Sequence, residues 1–311
     1  MAAISSIEKA IKKRVSESNI SCTSMVVTVF GDVVSQHGGW IWLGSLISTL
    51  QRMGYDDRSV RTAVYRLVQS DWLQVEKIGR RSYYCFTDKA IGHYEKAARR
   101  IYAARQPKWD GSWTLVAPAF VAEDKKDELR KSLLWQGFNT LVTGMYAHPS
   151  SDRTSLDETL NEQGLNGDVV VMSAKTEDKH SLEAIKQLVQ NRWNLDELEN
   201  FYSDFLGYYQ RKSQPFIKRQ AAGQKPSTMD CFLMRVLLVH EYRRILLRDP
   251  DFPGAMLPKG WVGQEAHKRV KQLYKRLAKP SMAFIQAELD NAQGHLPAAQ
   301  PSFYQRFDGL P

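Results

Sequence analysis

Arg58, Arg61, Thr62, Tyr65 and Gln69 fall at i, i+3, i+4, i+7 and i+11, with Ser59 and Arg66 on their flanks. In a helix that spacing gathers cations and hydrogen-bonding side chains on one side, the chemistry that meets phosphates and base edges of a nucleic acid. Lys77, Arg80, Arg81 and Ser82 stand close behind, around Gly79. Their types suit a second contact, a charged tip laid along a phosphate backbone.

The elements that must position these groups are legible from the periods around them. Val60, Ala63, Val64, Leu67 and Val68 fall on the stripe of a helix with about 3.6 residues per turn, so a helix over 58–70 buries that side and presents the arginines. A preceding helix over 43–53 buries Leu46, Ile47 and Leu50, and Gly54-Tyr55-Asp56-Asp57 supplies a turn glycine and acidic residues suited to a helix N-terminus. After Trp72 the period switches to two: Leu73, Val75 and Lys77 alternate with Gln74, Glu76 and Ile78, Gly79 turns the chain, and 82–87 returns as a strand. Helix, turn, basic helix and arginine-tipped hairpin make a winged helix-turn-helix. The rival reading is a winged helix that docks protein, for which the same arginines are solvated surface and no duplex is retarded on a gel.

The chain has 311 residues, too many for one such module, and its 43% hydrophobic content supports further packed cores. A formal net charge of +9 suits a nucleic-acid binder and equally a protein that grips an anionic small molecule. Cys22, Cys85 and Cys231 are scattered, with no C-x-x-C pair, so neither a disulfide framework nor a zinc site is expected and a reducing cytosol is the natural compartment. Ile4, Ile7, Ile11 and Val15 alternate with charges in an N-terminal helix or mobile arm (1–22), which lacks the apolar run of a signal peptide. No stretch approaches the roughly twenty apolar residues of a membrane span.

The winged module and a connector helix from Asp88 to about Arg105 occupy 23–106, with a boundary at Pro107 to Gly111. Strand (113–118), helix (123–136), strand (138–146), short helix (156–163) and strand (169–173) then predict a ferredoxin-like α+β domain over 107–180. A mostly helical domain follows over 181–293. Leu182, Ile185, Leu188 and Val189 share one stripe, an aromatic stripe runs from Leu198 to Tyr209, and Arg211 to Lys225 reads as an exposed connection. The helix from Thr228 to Arg248 carries too much apolar surface to be exposed, so it is buried, with another copy of itself as one cover. A last basic helix spans about 264–277, and the tail over 294–311 is poorly patterned.

Phe30-Gly-Asp, Gly38-Gly-Trp-Ile-Trp-Leu-Gly-Ser-Leu, Arg58-Ser-Val-Arg-Thr-Ala-Val-Tyr-Arg-Leu, Ile78-Gly-Arg-Arg-Ser-Tyr-Tyr, His240-Glu-Tyr-Arg-Arg and Leu257-Pro-Lys-Gly-Trp together resemble the PaaX family of bacterial repressors, from about Thr23 to Ala278. The resemblance implies a cytoplasmic homodimer that represses phenylacetate catabolism from double-stranded operator DNA and is released by phenylacetyl-CoA or a related aryl-CoA. It also implies a Cas2-like middle domain. For an acyl-CoA effector, cations for the phosphates and an apolar pocket for the aryl group point to Arg192, Trp193, Tyr242, Arg243, Arg244 and Trp261.

Enzyme signatures fail, and no catalytic residue, metal or cofactor is expected. A metal-dependent nuclease built on the Cas2-like domain needs a carboxylate at the end of the first strand, where this chain has Leu115-Val-Ala-Pro-Ala-Phe-Val. Glu123 and Asp124 begin the next helix, where capping is the simpler role. His240-Glu241 opens like a zinc-protease helix, but position 244 is Arg, and His240 reads as a structural hydrogen-bonder.

Overall fold

Short polar side chains open the first helices. In the computed structural model, which describes residues 5–103, 109–149, 153–176 and 178–310, Ser5 accepts the Glu8 N–H and starts α1 (Ser6–Glu17). This is a packed helix and not a mobile arm, since Ile11 and Val15 are buried. Ser21 caps α2 (Cys22–Asp32) in the same way. Periodicity did not separate α2 from its surroundings because it is apolar nearly all round: Met25, Val26, Val29 and Phe30 are all inside. A short strand β1 (Ile41–Trp42) leads into α3 (Leu43–Arg52), and α4 (Asp57–Gln69) begins at Asp56, whose carboxylate accepts the Ser59 N–H at 2.6 Å.

The hairpin β2 (Leu73–Ile78) and β3 (Arg81–Phe86) pairs from Leu73 opposite Phe86 out to Ile78 opposite Arg81, and β1 pairs with the other edge of β3, giving the antiparallel order β1-β3-β2. Gly79 turns the hairpin at φ +59°, a conformation side-chained residues adopt at a cost. Thr87 caps α5 (Asp88–Ile101). The expected connector reached Arg105. It stops at Ile101 because Tyr102 caps the helix and turns its hydroxyl onto Asp32. Part of the expected boundary at 107–111 lies outside the described residues.

The next segment runs β4 (Ser112–Ala117), α6 (Glu123–Trp135), β5 (Asn139–Val142), β6 (Met145–His148), α7 (Arg153–Glu162) and β7 (Val170–Lys175). All pairings are antiparallel in the order β5-β6-β4-β7, the arrangement of a ferredoxin-like sheet. The expected single strand over 138–146 is a correction. Gly144, at φ +78°, reverses the chain after Thr143 and splits that stretch into a hairpin. Val116, Leu129, Leu133, Phe138, Leu156, Leu160 and Leu165 form the core between the sheet and its helices. Asp178 caps α8 (Lys179–Arg192), whose expected stripe is fully buried only at Val189.

The C-terminal part is mostly helical: α9 (Leu195–Ala221), α10 (Thr228–Leu246) and α11 (Val262–Glu288). The exposed connection expected from Arg211 is instead helix as far as Ala221, still burying Ser213 one turn beyond Tyr208 and Tyr209. Nor does α11 stop near Leu277. It continues through Pro280, and Ser281 donates its hydroxyl to the Leu277 carbonyl at 2.6 Å. The strands β8 (Asp290–Asn291) and β9 (Gly294–His295) and the single turn α12 (Pro301–Tyr304) complete the chain. The tail is better packed than its pattern suggested, with Leu296, Phe303 and Phe307 fully buried.

The chain divides into two compact units. One takes residues 5–103, Gly207–Arg243 and 267–310; the other takes 109–206 and Arg244–Ala266. In the first, α10 is the central element: from Cys231 to Tyr242 every side chain is buried. Its cover is its own chain. Phe232 stacks on Phe284 of α11 at 4.7 Å, and Thr28 of α2 meets His240 Nδ1 at 2.9 Å, so burial of this helix does not require a second copy.

Candidate nucleic-acid interface

A helix can present one side only if the other is held. Val60, Ala63, Val64 and Leu67 of α4 are 0 to 4% exposed and fix it against the core, while Val68 is half-buried. On the outer side Arg58, Arg61, Thr62, Tyr65, Arg66 and Gln69 are all exposed, and Ser59 is half-buried beside the cap. Tyr65 is 63% exposed, a large aromatic side chain left in solvent on a helix whose inward positions are filled. Arg61 is paired with Asp57 one turn back, which lines up its guanidinium along the helix surface. Such an exposed pair is worth little in stability and is easily exchanged for a phosphate or a base edge.

The hairpin projects with almost none of its first strand buried: after Leu73, every β2 residue is exposed. Lys77, Arg80 and Arg81 are exposed at its end, with Ser82 half-buried. The Arg81 guanidinium lies over the Trp42 ring of β1 at 4.4 Å from the centroid, an attraction that orients one cation of the tip. Val75 and Ile78, 42% and 47% exposed, leave apolar surface on the same strand.

Support for this module comes from a buried cluster that the residue spacing did not reveal. Asp32, at the end of α2, accepts from Arg235 Nε at 2.8 Å, Arg306 Nη1 at 2.9 Å, Tyr102 Oη at 2.7 Å and Tyr274 Oη at 2.8 Å. Burial alone pushes this carboxyl up, but the two guanidiniums and two hydroxyls outweigh it and hold the group below the usual carboxylate range. The signal that could have found it is a lone acid in one apolar run (Asp32) and a lone base in another (Arg235), since a buried charge needs an opposite partner.

The six candidate effector residues do not share one setting. In the first unit the Tyr242 hydroxyl is 3.0 Å from His267 Nδ1, and Arg243 donates to the Ser24 carbonyl and hydroxyl at 3.2 and 2.9 Å. In the second, Trp193 donates its ring N–H to the Gly137 carbonyl at 2.7 Å and meets Phe252 edge-on, while Trp261 is buried against Tyr202. Arg192 is exposed, and Arg244 is half-buried. Glu123 of α6 pairs with Lys126 at 2.6 Å. Among the described residues no group of three or more His, Cys, Asp or Glu side chains could hold a metal ion, and no helix is long and apolar enough to cross a membrane. The thiols are chemically quiet: burial, with Asp56 and Asp230 nearby, pushes Cys22 and Cys231 up to about 12.

Comparison with known proteins accounts for nearly the whole chain. Residues 21–90 match the family described as PaaX-like protein, residues 106–186 the PaaX protein central Cas2-like domain, and residues 193–287 the PaaX-like protein C-terminal domain. The chain is 34% identical over 307 residues to the protein named transcriptional repressor PaaX of Escherichia coli (strain K12), covering 99% of this chain and 96% of that one. Among solved structures, the uncharacterized protein Rv0674 from Mycobacterium tuberculosis superposes with a TM-score of 0.51 over 81% of this chain and 94% of its own, at 20% identity, a likeness of fold. On three consecutive domain matches and a full-length relative, the chain belongs to the PaaX family.

Proposed function

We propose that this protein is a sequence-specific, DNA-binding transcriptional repressor of phenylacetate catabolism, a regulator and not an enzyme. Its winged helix-turn-helix would place α4 in the major groove of a double-stranded operator and the β2-β3 wing along the backbone. The observation that carries the reading is the outward side of α4, where three arginines flank a solvent-exposed Tyr65 beside an arginine-tipped hairpin. The name of the Escherichia coli relative supports the same assignment.

In this reading the protein acts as a cytoplasmic homodimer whose two α4 helices dock together when half-sites lie about one helical turn, or a multiple of it, apart. An aryl-CoA thioester such as phenylacetyl-CoA binds better to an arrangement with the wrong spacing. It then weakens operator affinity by a coupling free energy of about 1 to 3 kcal/mol, with no contact between effector and DNA. The decisive experiment is a gel shift on DNA upstream of the neighbouring genes, titrated with phenylacetate and then with its CoA thioester. Failure to retard any duplex in a salt-dependent way would favour a protein-docking module.

The wing has its own test. Replacing Arg80 and Arg81 together by alanine is expected to weaken binding to all duplexes alike and to lower the slope of log affinity against log salt by about 2, since each phosphate contact releases about 0.9 counterion. An unchanged slope removes the wing from the interface.

A further inference from the structure

Within the first unit, α5, the turn that follows α2, the wing and the C-terminal tail line a cleft of about 830 Å³. Its volume falls in the range of pockets that hold small organic ligands. Phe30, Trp40, Phe86, Tyr94 and Tyr102 supply aromatic walls, and Arg306 stands among them. None of the residues chosen above for effector contact is in its lining.

Arg306 is the informative residue. It is 6% exposed, donates through Nη1 to Asp32 and through Nη2 to the Tyr94 hydroxyl at 2.8 Å, and lies over the Tyr102 ring at 3.9 Å. Asp32 is the one carboxylate that touches either Arg306 or Arg235 among the described residues, so the cluster holds two buried cations against one anion. Its hydroxyls do not supply the missing charge, because burial keeps Tyr102 and Tyr274 above the ordinary tyrosine value and hence protonated. An unbalanced buried cation is costly, and an anionic or strongly polar oxygen on the cleft side of Arg306 relieves it. Asp88 and Glu95 are also in the lining, but both are exposed and solvent-screened.

We propose that this cleft is a ligand site for an aromatic acyl compound, with the ring against the wall formed by Trp40, Phe86 and Tyr94 and the carboxyl or carbonyl oxygen toward Arg306. The inference rests on the effector reading above and gives it a place. It also gives a route for regulation: Gln74 of β2 and Cys85 and Phe86 of β3 are part of the wall, so a ligand that fits one setting of the wing better than another shifts the population of DNA-competent protein without a relay through the second unit. The acyl group could arrive as the free acid or as a thioester, and the two are separable.

The test uses the full chain on operator DNA, with phenylacetate and phenylacetyl-CoA as separate probes, comparing the native protein with Ala98→Trp on α5 and Gln305→Trp on the tail. Both positions line the cleft and neither belongs to the proposed DNA surface. Gln305 is exposed and tolerates a large side chain, so it decides the matter if Ala98→Trp folds poorly. The expected result is operator binding like that of the native protein, with about tenfold more of the active probe needed for release, or about 1.4 kcal/mol. Release by the acid assigns the site to a free aryl acid, and release by the thioester alone assigns it to the acyl end of a CoA ester. Variants that respond like the native protein overturn the cleft and leave the effector reading intact. A native protein that binds its operator and ignores both probes overturns the effector reading, and this inference with it.

Discussion

Asp32→Ala is expected to cost about 3 to 5 kcal/mol of folding stability, because it removes the one carboxylate that, among the described residues, faces Arg235 and Arg306, and leaves two guanidiniums buried without that counter-charge. Urea denaturation followed by circular dichroism measures this directly. Asp32→Asn keeps the shape and some hydrogen bonds but not the charge, and belongs between the two. A loss for Asp32→Ala of under about 0.5 kcal/mol, the range of ordinary surface substitutions, sinks the claim that this cluster organises the first unit. The pH dependence has a definite sign. Asp32 is held below its ordinary value in the folded chain, so its stabilisation is complete above the unfolded carboxyl pKa and is lost as pH falls through the lower, folded one. Stability therefore drops in acid, and Asp32→Asn flattens that limb.

The second large effect belongs to α4. Tyr65→Ala and Arg61→Ala are each expected to lower operator affinity by about 1 to 3 kcal/mol while changing affinity for random duplex far less, the signature of groups that read bases. Competition binding at fixed salt separates the two cases. Equal losses on operator and random DNA would reduce both residues to phosphate contacts. The α4 positions can be tested cleanly because Arg61 and Tyr65 are exposed and outside the buried stripe, with Arg61 held by Asp57 in an exposed pair. Loss of binding then reports the interface and not the fold.

How far the residues alone lead depends on whether a segment has two faces. Helix α4 does, and its stripe of Val60, Ala63, Val64 and Leu67 located both the buried side and, by subtraction, the cationic one. The wing was equally open to reading, since an alternation broken by Gly79 has few other solutions. Helices α2 and α10 are apolar nearly all round, so their period says that they are buried but not against what. That is why α10 invited a second copy as its cover when Phe284 and His240's partner Thr28 already provide it. The hairpin within 138–148 was hidden for another reason: β5 and β6 are four residues each, and Gly144 alone marked the reversal. The cleft beside the wing draws on α2, β3, α5 and the tail at once, and no local pattern connects positions 30, 86, 94 and 306.

The return of the tail to the first helices has a genetic consequence. A nonsense codon just after Tyr304 spares α4 and the β2-β3 hairpin, yet it deletes Arg306 and Phe307 and strips Asp32 of one of its two cations. Alleles truncated so late should behave as constitutive, derepressed mutants. During synthesis the amino-terminal third leaves the ribosome first but cannot complete the cluster around Asp32 until Tyr274 and Arg306 have been translated.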